Sequence, residues 1–146
     1  MAHTKSILII EDNDIVRRYY ADHLRLVCRD HLIYEAATGK TGLDLCQWQT
    51  IDCVILDLSL PDMSGFQVLA KLVPVPSQPR LPVIILTSIA RQNILDVAKD
   101  KGAFAALQKD LTTGDELADV ALKAMTAIAL NGEKAAAPLS ARSVSA

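Results

Sequence analysis

Five residues with charged or hydroxyl side chains stand at the ends of short apolar runs in this chain of 146 residues. They are Glu11, Asp12, Asp57, Thr87 and Lys109. Three carboxylates brought close together repel one another, so they either take up protons or bind a hard cation. Because oxygen ligands without cysteine or histidine favour Mg²⁺ over zinc, we predict that Glu11, Asp12 and Asp57 form a Mg²⁺ site.

The lysine and the threonine extend this chemistry to phosphate. Mg²⁺ keeps several of its waters in proteins, which leaves room for phosphate oxygens. Lys109 would add a second positive charge, and the Thr87 hydroxyl could donate to a phosphoryl oxygen. Asp57 is the natural nucleophile, since a carboxylate can form an acyl phosphate. The set therefore predicts phosphoryl transfer onto an aspartate.

Such a site needs a fold that gathers distant residues, and the hydropathy pattern predicts one. Short apolar runs alternate with amphipathic stretches, which indicates five strands, each followed by a helix. The strands are predicted at 7–10, 32–34, 53–56, 83–86 and 103–108. Because these runs are apolar throughout, we expect a parallel sheet covered on both faces. The predicted class is α/β, with a flavodoxin-like doubly wound five-stranded sheet in the order 2-1-3-4-5 and five helices.

The helices are predicted from apolar residues at three- and four-residue steps and from local start and stop signals. Asn13 or Asp14 can cap the first helix, and Gly102 can stop the fourth. The second helix is expected at about 41–47 and the last at 113–130. The buried face of the first helix is predicted to hold Val16, Tyr20, Leu24 and Val27. The arginines of this helix, Arg17, Arg18 and Arg25, are interpreted as a solvated face.

Composition limits the classes of protein that the chain could belong to. With 51% apolar and 22% charged residues, wholesale disorder is excluded. The formal net charge of −2 provides no basic field, so neither nucleic acid nor a membrane is expected as a partner. Cys28, Cys46 and Cys53 are odd in number and form no C-x-x-C pair, which is typical of reduced thiols. Since no export signal or membrane span is visible, we expect a cytoplasmic protein.

Two segments lie outside the predicted core. Residues 74–82 hold four of the six prolines, and a rigid connecting loop is favoured there over a polyproline docking motif. After Asn131-Gly132 the sequence becomes rich in alanine and serine. We therefore predict one domain over residues 1–131 and a flexible tail over residues 132–146.

The sequence resembles a response-regulator receiver domain of two-component signalling over about residues 5–130. The resemblance rests on four stretches in order, 7–13, 57–65, 82–87 and 102–109. Each stretch is weak alone, and their order and spacing make the resemblance specific. Because no output domain follows in the sequence, we expect a stand-alone regulator that resembles the chemotaxis type.

The resemblance implies a role for each candidate residue. Asp57 would accept a phosphoryl group from a histidine kinase or a phosphotransfer protein. Asp12 and Asp57 would ligate Mg²⁺ together with the backbone carbonyl of Ser59, and Glu11 would act mainly through a metal-bound water.

The resemblance also gives Lys109 and Thr87 roles during phosphorylation. Lys109 would pair with the phosphoryl oxygens, and Thr87 would rotate inward to bond them. The chain would catalyse only its own phosphotransfer and dephosphorylation, and it would thus not be an enzyme in the ordinary sense.

Some positions depart from the family pattern. Asp110 follows Lys109, whereas the family usually has a proline at this position, joined by a cis peptide bond. A cis peptide bond before a residue other than proline costs about 2.5–4 kcal/mol. We therefore expect a trans bond or an altered loop that shifts Lys109. Ala106 stands where the family usually has Tyr or Phe. Phe104 shares its face of the strand and could substitute, although core packing is the favoured interpretation of Phe104. Glu11 replaces the commoner aspartate.

The residues at the predicted strand ends argue against two other classes of protein. A flavin carrier of this fold would bind phosphate after the first strand, where Glu11 and Asp12 would repel it. A dehalogenase-type phosphatase needs a second acid two residues after its nucleophile, where this chain has Ser59. The alternative that stays open is a phosphate-independent receiver that acts only as a protein-interaction module.

The last helix carries more apolar residues than contact with one sheet face requires. They are Leu117, Val120, Leu122, Met125, Ile128 and Leu130. This predicts a protein–protein surface, in the form of a homodimer through helices 4 and 5. A helix covered in part by the C-terminal tail is the alternative.

Overall fold

The computed structural model describes residues 4–89 and 91–135, and within them strands and helices alternate. The strands are β1 (Ser6–Ile10), β2 (Leu32–Ala36), β3 (Cys53–Leu56), β4 (Val83–Thr87) and β5 (Ala105–Gln108). The helices are α1 (Asp14–Val27), α2 (Gly39–Trp48), α3 (Gly65–Leu72), α4 (Gln92–Asp100) and α5 (Gly114–Ala135). A short 3₁₀ turn, Lys109–Leu111, follows β5.

All five strands are parallel and lie in the order β2-β1-β3-β4-β5, which confirms the predicted doubly wound topology. The register pairs Ile10 of β1 with Leu56 of β3, and Leu56 with Ile85 of β4. Thr87 at the end of β4 pairs with Gln108 at the end of β5. The carboxyl ends of these four strands therefore meet along one edge, where a doubly wound sheet forms its sites.

Both faces of the sheet are buried, and this explains why the strands are apolar at every position. On one face Ile9 and Ile55 pack in a core cluster with residues of α1 and α5. On the other face Ile10 and Leu56 pack in a second cluster with residues of α2, α3 and α4. Since neither face is open, the sheet can meet a ligand only at the edge formed by the strand ends.

The start and stop signals of the helices act as predicted. The Asn13 side chain caps α1 by accepting hydrogen bonds from the backbone N–H groups of Ile15 and Val16 at 3.0 and 3.1 Å. Gly102 follows α4 with a positive φ of 101°, and an added Cβ there would lie 3.0 Å from the Cα of Pro76. The buried face of α1 is shorter than predicted, because Val27 is 45% exposed.

The beginning of β5 differs from the prediction. The strand starts at Ala105 rather than Ala103, and Phe104 stands just before it. Phe104 is 40% exposed, so the prediction that it packs in the core is wrong. Ala106, at the position of the family's aromatic residue, is half-buried against the cluster that faces α2, α3 and α4.

The last helix, α5, continues past its predicted end at residue 130 and reaches Ala135. Residues 136–146 lie outside the described residues, so the domain boundary at 131 stays a prediction. Val120 and Leu122 pack half-buried against the core, which means that α5 uses much of its apolar surface inside the protein. Within the described ranges, no helix combines the length and the apolar character needed to cross a bilayer.

Truncation of a core residue in the central strands tests this packing. Ile55 is 1% exposed on β3, and Ile55→Ala should lower the free energy of unfolding by about 2–5 kcal/mol because it leaves a cavity. Ile15, which is 83% exposed on α1, provides the matched control, and Ile15→Ala should change stability by less than about 0.5 kcal/mol. Urea unfolding followed by circular dichroism measures both, and equal losses would contradict the predicted core.

Candidate functional site

Asp57 comes directly after β3 and is almost fully buried. Its backbone N–H donates to the Ile10 carbonyl at 3.1 Å, which continues the pairing of β1 and β3 by one residue. An added Cβ at Gly65 would lie 2.3 Å from the Asp57 carbonyl oxygen and 2.6 Å from the Leu58 Cα. Glycine at position 65 therefore allows α3 to begin against the end of β3, and this contact fixes the backbone that carries Asp57.

Glu11 and Asp12 follow β1 and bring two more carboxylates to the same place. One carboxylate oxygen from each of Glu11, Asp12 and Asp57 can be chosen so that all three lie within 4.8 Å of one another. Glu11 is buried and Asp12 is exposed, so the group opens to solvent on the Asp12 side. Burial, together with the charge of Asp57, raises the pKa of Glu11 although Lys109 and the N–H of Asn13 oppose this shift. An all-oxygen group of this kind can hold a hard divalent cation.

Lys109 reaches the carboxylates from the end of β5. Its Nζ lies 3.0 Å from Asp57 Oδ2 and also contacts Glu11 Oε1. Burial alone would lower the pKa of Lys109, but hydrogen bonds to Glu11 and Asp57 outweigh it and raise the pKa, so the side chain is a cation. The described residues contain no cis peptide bond, so the bond before Asp110 is trans. The substitution of Asp110 for proline thus leaves the ammonium beside Asp57.

Thr87 and Ser59 are two further residues at this edge, and Ser59 bonds Asp57 through its backbone. Thr87 ends β4 and is fully buried, and its hydroxyl accepts a hydrogen bond from the Ile89 N–H at 3.2 Å. Among the described residues this is the only hydrogen bond of that hydroxyl. The exposed Ser59 donates its backbone N–H to Asp57 Oδ1 at 3.2 Å. The role of its carbonyl as a metal ligand stays a prediction.

Arg17 supports the acidic loop in a way that the sequence did not indicate. Its side chain is only 14% exposed, so its interpretation as part of a solvated face is wrong. One guanidinium nitrogen donates to the Glu11 carbonyl at 2.8 Å, and another donates to Glu35 on β2 at 3.3 Å. Arg25 also bonds Glu35, at 2.9 Å. Arg17 therefore joins the loop after β1 to the edge strand.

Tyr20 is the second residue with an unpredicted role. The helical pattern places it on the buried face of α1, and it is indeed buried. Its hydroxyl contacts the backbone carbonyls of Lys109 and Thr112, which lie 89 and 92 positions away in the sequence. No feature of the sequence could indicate these partners, because every residue carries a backbone carbonyl.

Three carboxylates and a lysine thus gather at the carboxyl edge of a parallel 2-1-3-4-5 sheet, and the fold is that of a CheY-like receiver domain. The family profile of the response regulator receiver domain matches residues 7–121 of the chain. The chain therefore belongs to the response regulator receiver domain family.

Individual relatives agree with this assignment. The chain is 38% identical over 92 residues to the transcriptional regulatory protein AfsQ1 of Streptomyces coelicolor, an alignment that covers 63% of this chain and 38% of that protein. It is 29% identical to the transcriptional regulatory protein PdtaR of Mycobacterium tuberculosis, over 90% of this chain and 63% of PdtaR. The chain thus spans less than two thirds of either relative.

A solved structure supports the fold independently. The CheY-like receiver domain protein of Methanospirillum hungatei superposes with a TM-score of 0.78 at 22% identity. The superposition covers 88% of this chain and 99% of that one.

The ion pairs of Glu35 predict a pH-dependent contribution to stability. Burial opposes ionisation of Glu35, but hydrogen bonds from Arg25 and Arg17 and the charge of Arg18 outweigh it and lower the pKa. A lowered folded pKa stabilises the protein above the unfolded pKa of about 4.3, and this contribution is lost as the pH falls through the folded pKa. Glu35→Gln should therefore cost about 1 kcal/mol near pH 7, and the cost should shrink below about pH 4.

Urea unfolding at several pH values measures this difference. Asp44 pairs with Lys40 on the surface of α2, so Asp44→Asn is a control that should change stability by less than about 0.5 kcal/mol at any of these pH values. If Glu35→Gln lowered the free energy of unfolding equally near pH 7 and near pH 3, the result would contradict the stabilising role of ionised Glu35.

Proposed function

We propose that the chain is a Mg²⁺-dependent signalling switch that accepts a phosphoryl group on Asp57. The observation that supports this most directly is the position of the Asp57 carboxylate, which lies 3.0 Å from the Lys109 ammonium and close to the carboxylates of Glu11 and Asp12. An anionic nucleophile beside a fixed cation is suited to phosphoryl transfer, because catalysis of that reaction is mainly positioning and charge stabilisation.

The transfer step follows from these residues. An oxygen of Asp57 attacks the phosphorus of a phosphohistidine, the N–P bond breaks with its electron pair going to the imidazole, and an aspartyl phosphate forms. Lys109 holds the transferred oxygens by its charge. Glu11, Asp12 and Asp57, with the Ser59 carbonyl, would hold Mg²⁺, which when bound neutralises part of the phosphoryl charge. Three carboxylates against one ammonium leave two negative charges, which suits a divalent cation.

Thr87 provides the connection from the modified aspartate to the following loop. Its oxygen accepts from the Ile89 N–H, and its own hydrogen can donate to a phosphoryl oxygen. Rotation of Thr87 toward that oxygen would pull on the Ile89 backbone. Phosphorylation would thus bias the loop between β4 and α4, as a local charge change biases a two-state element.

The proposed partners follow from the family and from the described surface. The phosphodonor would be a histidine kinase or a phosphotransfer protein, and the chain would act in the cytoplasm and modify only itself. A homodimer through α4 and α5 is supported by the exposure of Val97 on α4 and Leu130 on α5. Exclusion of nucleic acid as a partner stays a prediction, since AfsQ1 and PdtaR are named transcriptional regulatory proteins.

A second function is favoured by one observation. Ala106 occupies the position where the family usually carries an aromatic residue, so position 106 cannot provide the usual coupling of that residue to Thr87. A receiver without that coupling could act as an interaction module whose binding is independent of phosphate. The two functions differ in whether Asp57 is modified.

Incubation with acetyl phosphate and Mg²⁺, followed by intact mass spectrometry, separates these functions. The wild-type chain should gain one phosphoryl group, and Asp57→Asn should gain none because the nucleophilic carboxylate is gone. Asp44→Asn, which changes a carboxylate on the surface of α2, should be modified like the wild type. An unmodified wild-type chain would contradict the proposed switch and favour the interaction module.

Binding of Mg²⁺ alone should be visible in thermal unfolding. At about ten times its dissociation constant, a ligand that binds only the folded state stabilises it by about 1.4 kcal/mol. Asp12→Asn should lose most of this stabilisation, and since Asp12 is exposed, the variant should fold normally without metal. Asp100→Asn, on the exposed end of α4, should respond to Mg²⁺ like the wild type. Equal responses of the two variants would remove Asp12 from the metal site.

A further inference from the structure

Tyr20 connects α1 to the turn that carries Lys109. The tyrosine is 4% exposed, and its hydroxyl lies 3.1 Å from the Lys109 carbonyl oxygen and 2.9 Å from the Thr112 carbonyl oxygen. Lys109 begins the 3₁₀ turn and Thr112 caps it, so one hydroxyl bridges both ends. Burial raises the pKa of Tyr20, which keeps the hydroxyl protonated and able to donate at neutral pH.

Within the turn itself, few interactions stabilise its conformation. Its own closing hydrogen bond, from the Thr112 N–H to the Lys109 carbonyl, is long at 3.4 Å. Residues 109–113 contain neither proline nor glycine, and Leu111 is 71% exposed. The turn runs from β5 to the start of α5, and the Tyr20 hydroxyl adds a contact from outside that bridges its two ends.

The position of this turn decides where the ammonium of Lys109 lies. A lysine side chain has four flexible carbons, so its Nζ keeps one place only if the backbone at its base is fixed. Here Nζ must remain 3.0 Å from Asp57 Oδ2. Tyr20 lies near Glu11 and Asp57, but among the described residues its hydroxyl bonds only the lysine turn.

We propose that Tyr20 is a positioning residue for Lys109, and that its hydroxyl fixes the turn so that the ammonium can bind the phosphoryl oxygens. The inference rests on the proposed function, because it assigns Lys109 to the phosphoryl group. The Tyr20 hydroxyl has no hydrogen bond with Glu11, Asp12 or Asp57 among the described residues. Its removal should thus weaken binding of a phosphoryl group while leaving binding of the metal unchanged.

The test uses the full chain, with Mg²⁺ alone as one probe and beryllium fluoride in saturating Mg²⁺ as a mimic of the phosphoryl group. Isothermal titration calorimetry gives the dissociation constant of each probe for the wild type and for Tyr20→Phe. We expect Tyr20→Phe to weaken beryllium fluoride binding about 3- to 10-fold, the effect of one lost hydrogen bond, and to change Mg²⁺ binding by less than about 2-fold. Tyr19→Phe removes the hydroxyl of the neighbouring, half-exposed tyrosine and should change neither constant.

A second variant keeps the test valid if Tyr20→Phe folds poorly. 4-Aminophenylalanine at position 20 retains the ring and a donor of similar reach, so it should bind beryllium fluoride like the wild type. A purely structural role would lower the melting temperature of Tyr20→Phe without separating the two dissociation constants, and that result would overturn the inference. A wild type that binds neither probe would instead contradict the proposed function itself.

Discussion

Repulsion among carboxylates at one edge of the sheet is the constraint on which the rest of the site depends. Glu11, Asp12 and Asp57 lie within reach of a single ion, and two of them are buried, where water screens charge poorly. Lys109 contacts two of the three and compensates one charge. The remaining excess of negative charge suits the site to a cation, and the electrostatics of the site depend on where the Lys109 ammonium lies.

Helix α1 contacts both the loop that carries the carboxylates and the turn that carries the lysine. Its first turn holds the acidic loop, since Asn13 caps the helix and Arg17 bonds the Glu11 carbonyl. Its second turn holds the basic side, since the Tyr20 hydroxyl contacts the backbone of Lys109. The loop that carries Glu11 and the turn that carries Lys109 are therefore both held by α1. This helix packs against the sheet and α5.

The sequence predicts the parts of this structure that depend on side-chain pattern. Continuous apolar runs indicate buried parallel strands, and right-handed crossovers then place Asp57 and Lys109 at the same edge. The contacts of Arg17 with the acidic loop and of Tyr20 with the lysine turn could not be predicted, because both are made to backbone carbonyls, which no residue type distinguishes. Phe104 was misplaced for a related reason: hydrophobicity indicates burial on average, but it does not indicate the residue at which a strand begins.

The hydrogen bond between Thr87 and Ile89 affects how this receiver can change over evolution. The link from the strand end to the next loop uses a main-chain N–H rather than a side chain. Every amino acid except proline provides that group, so a substitution of Ile89 by any residue other than proline keeps the donor of this hydrogen bond. Selection on the side chain of residue 89 can thus act on its packing against the second core cluster without removing the link between the loop and the threonine.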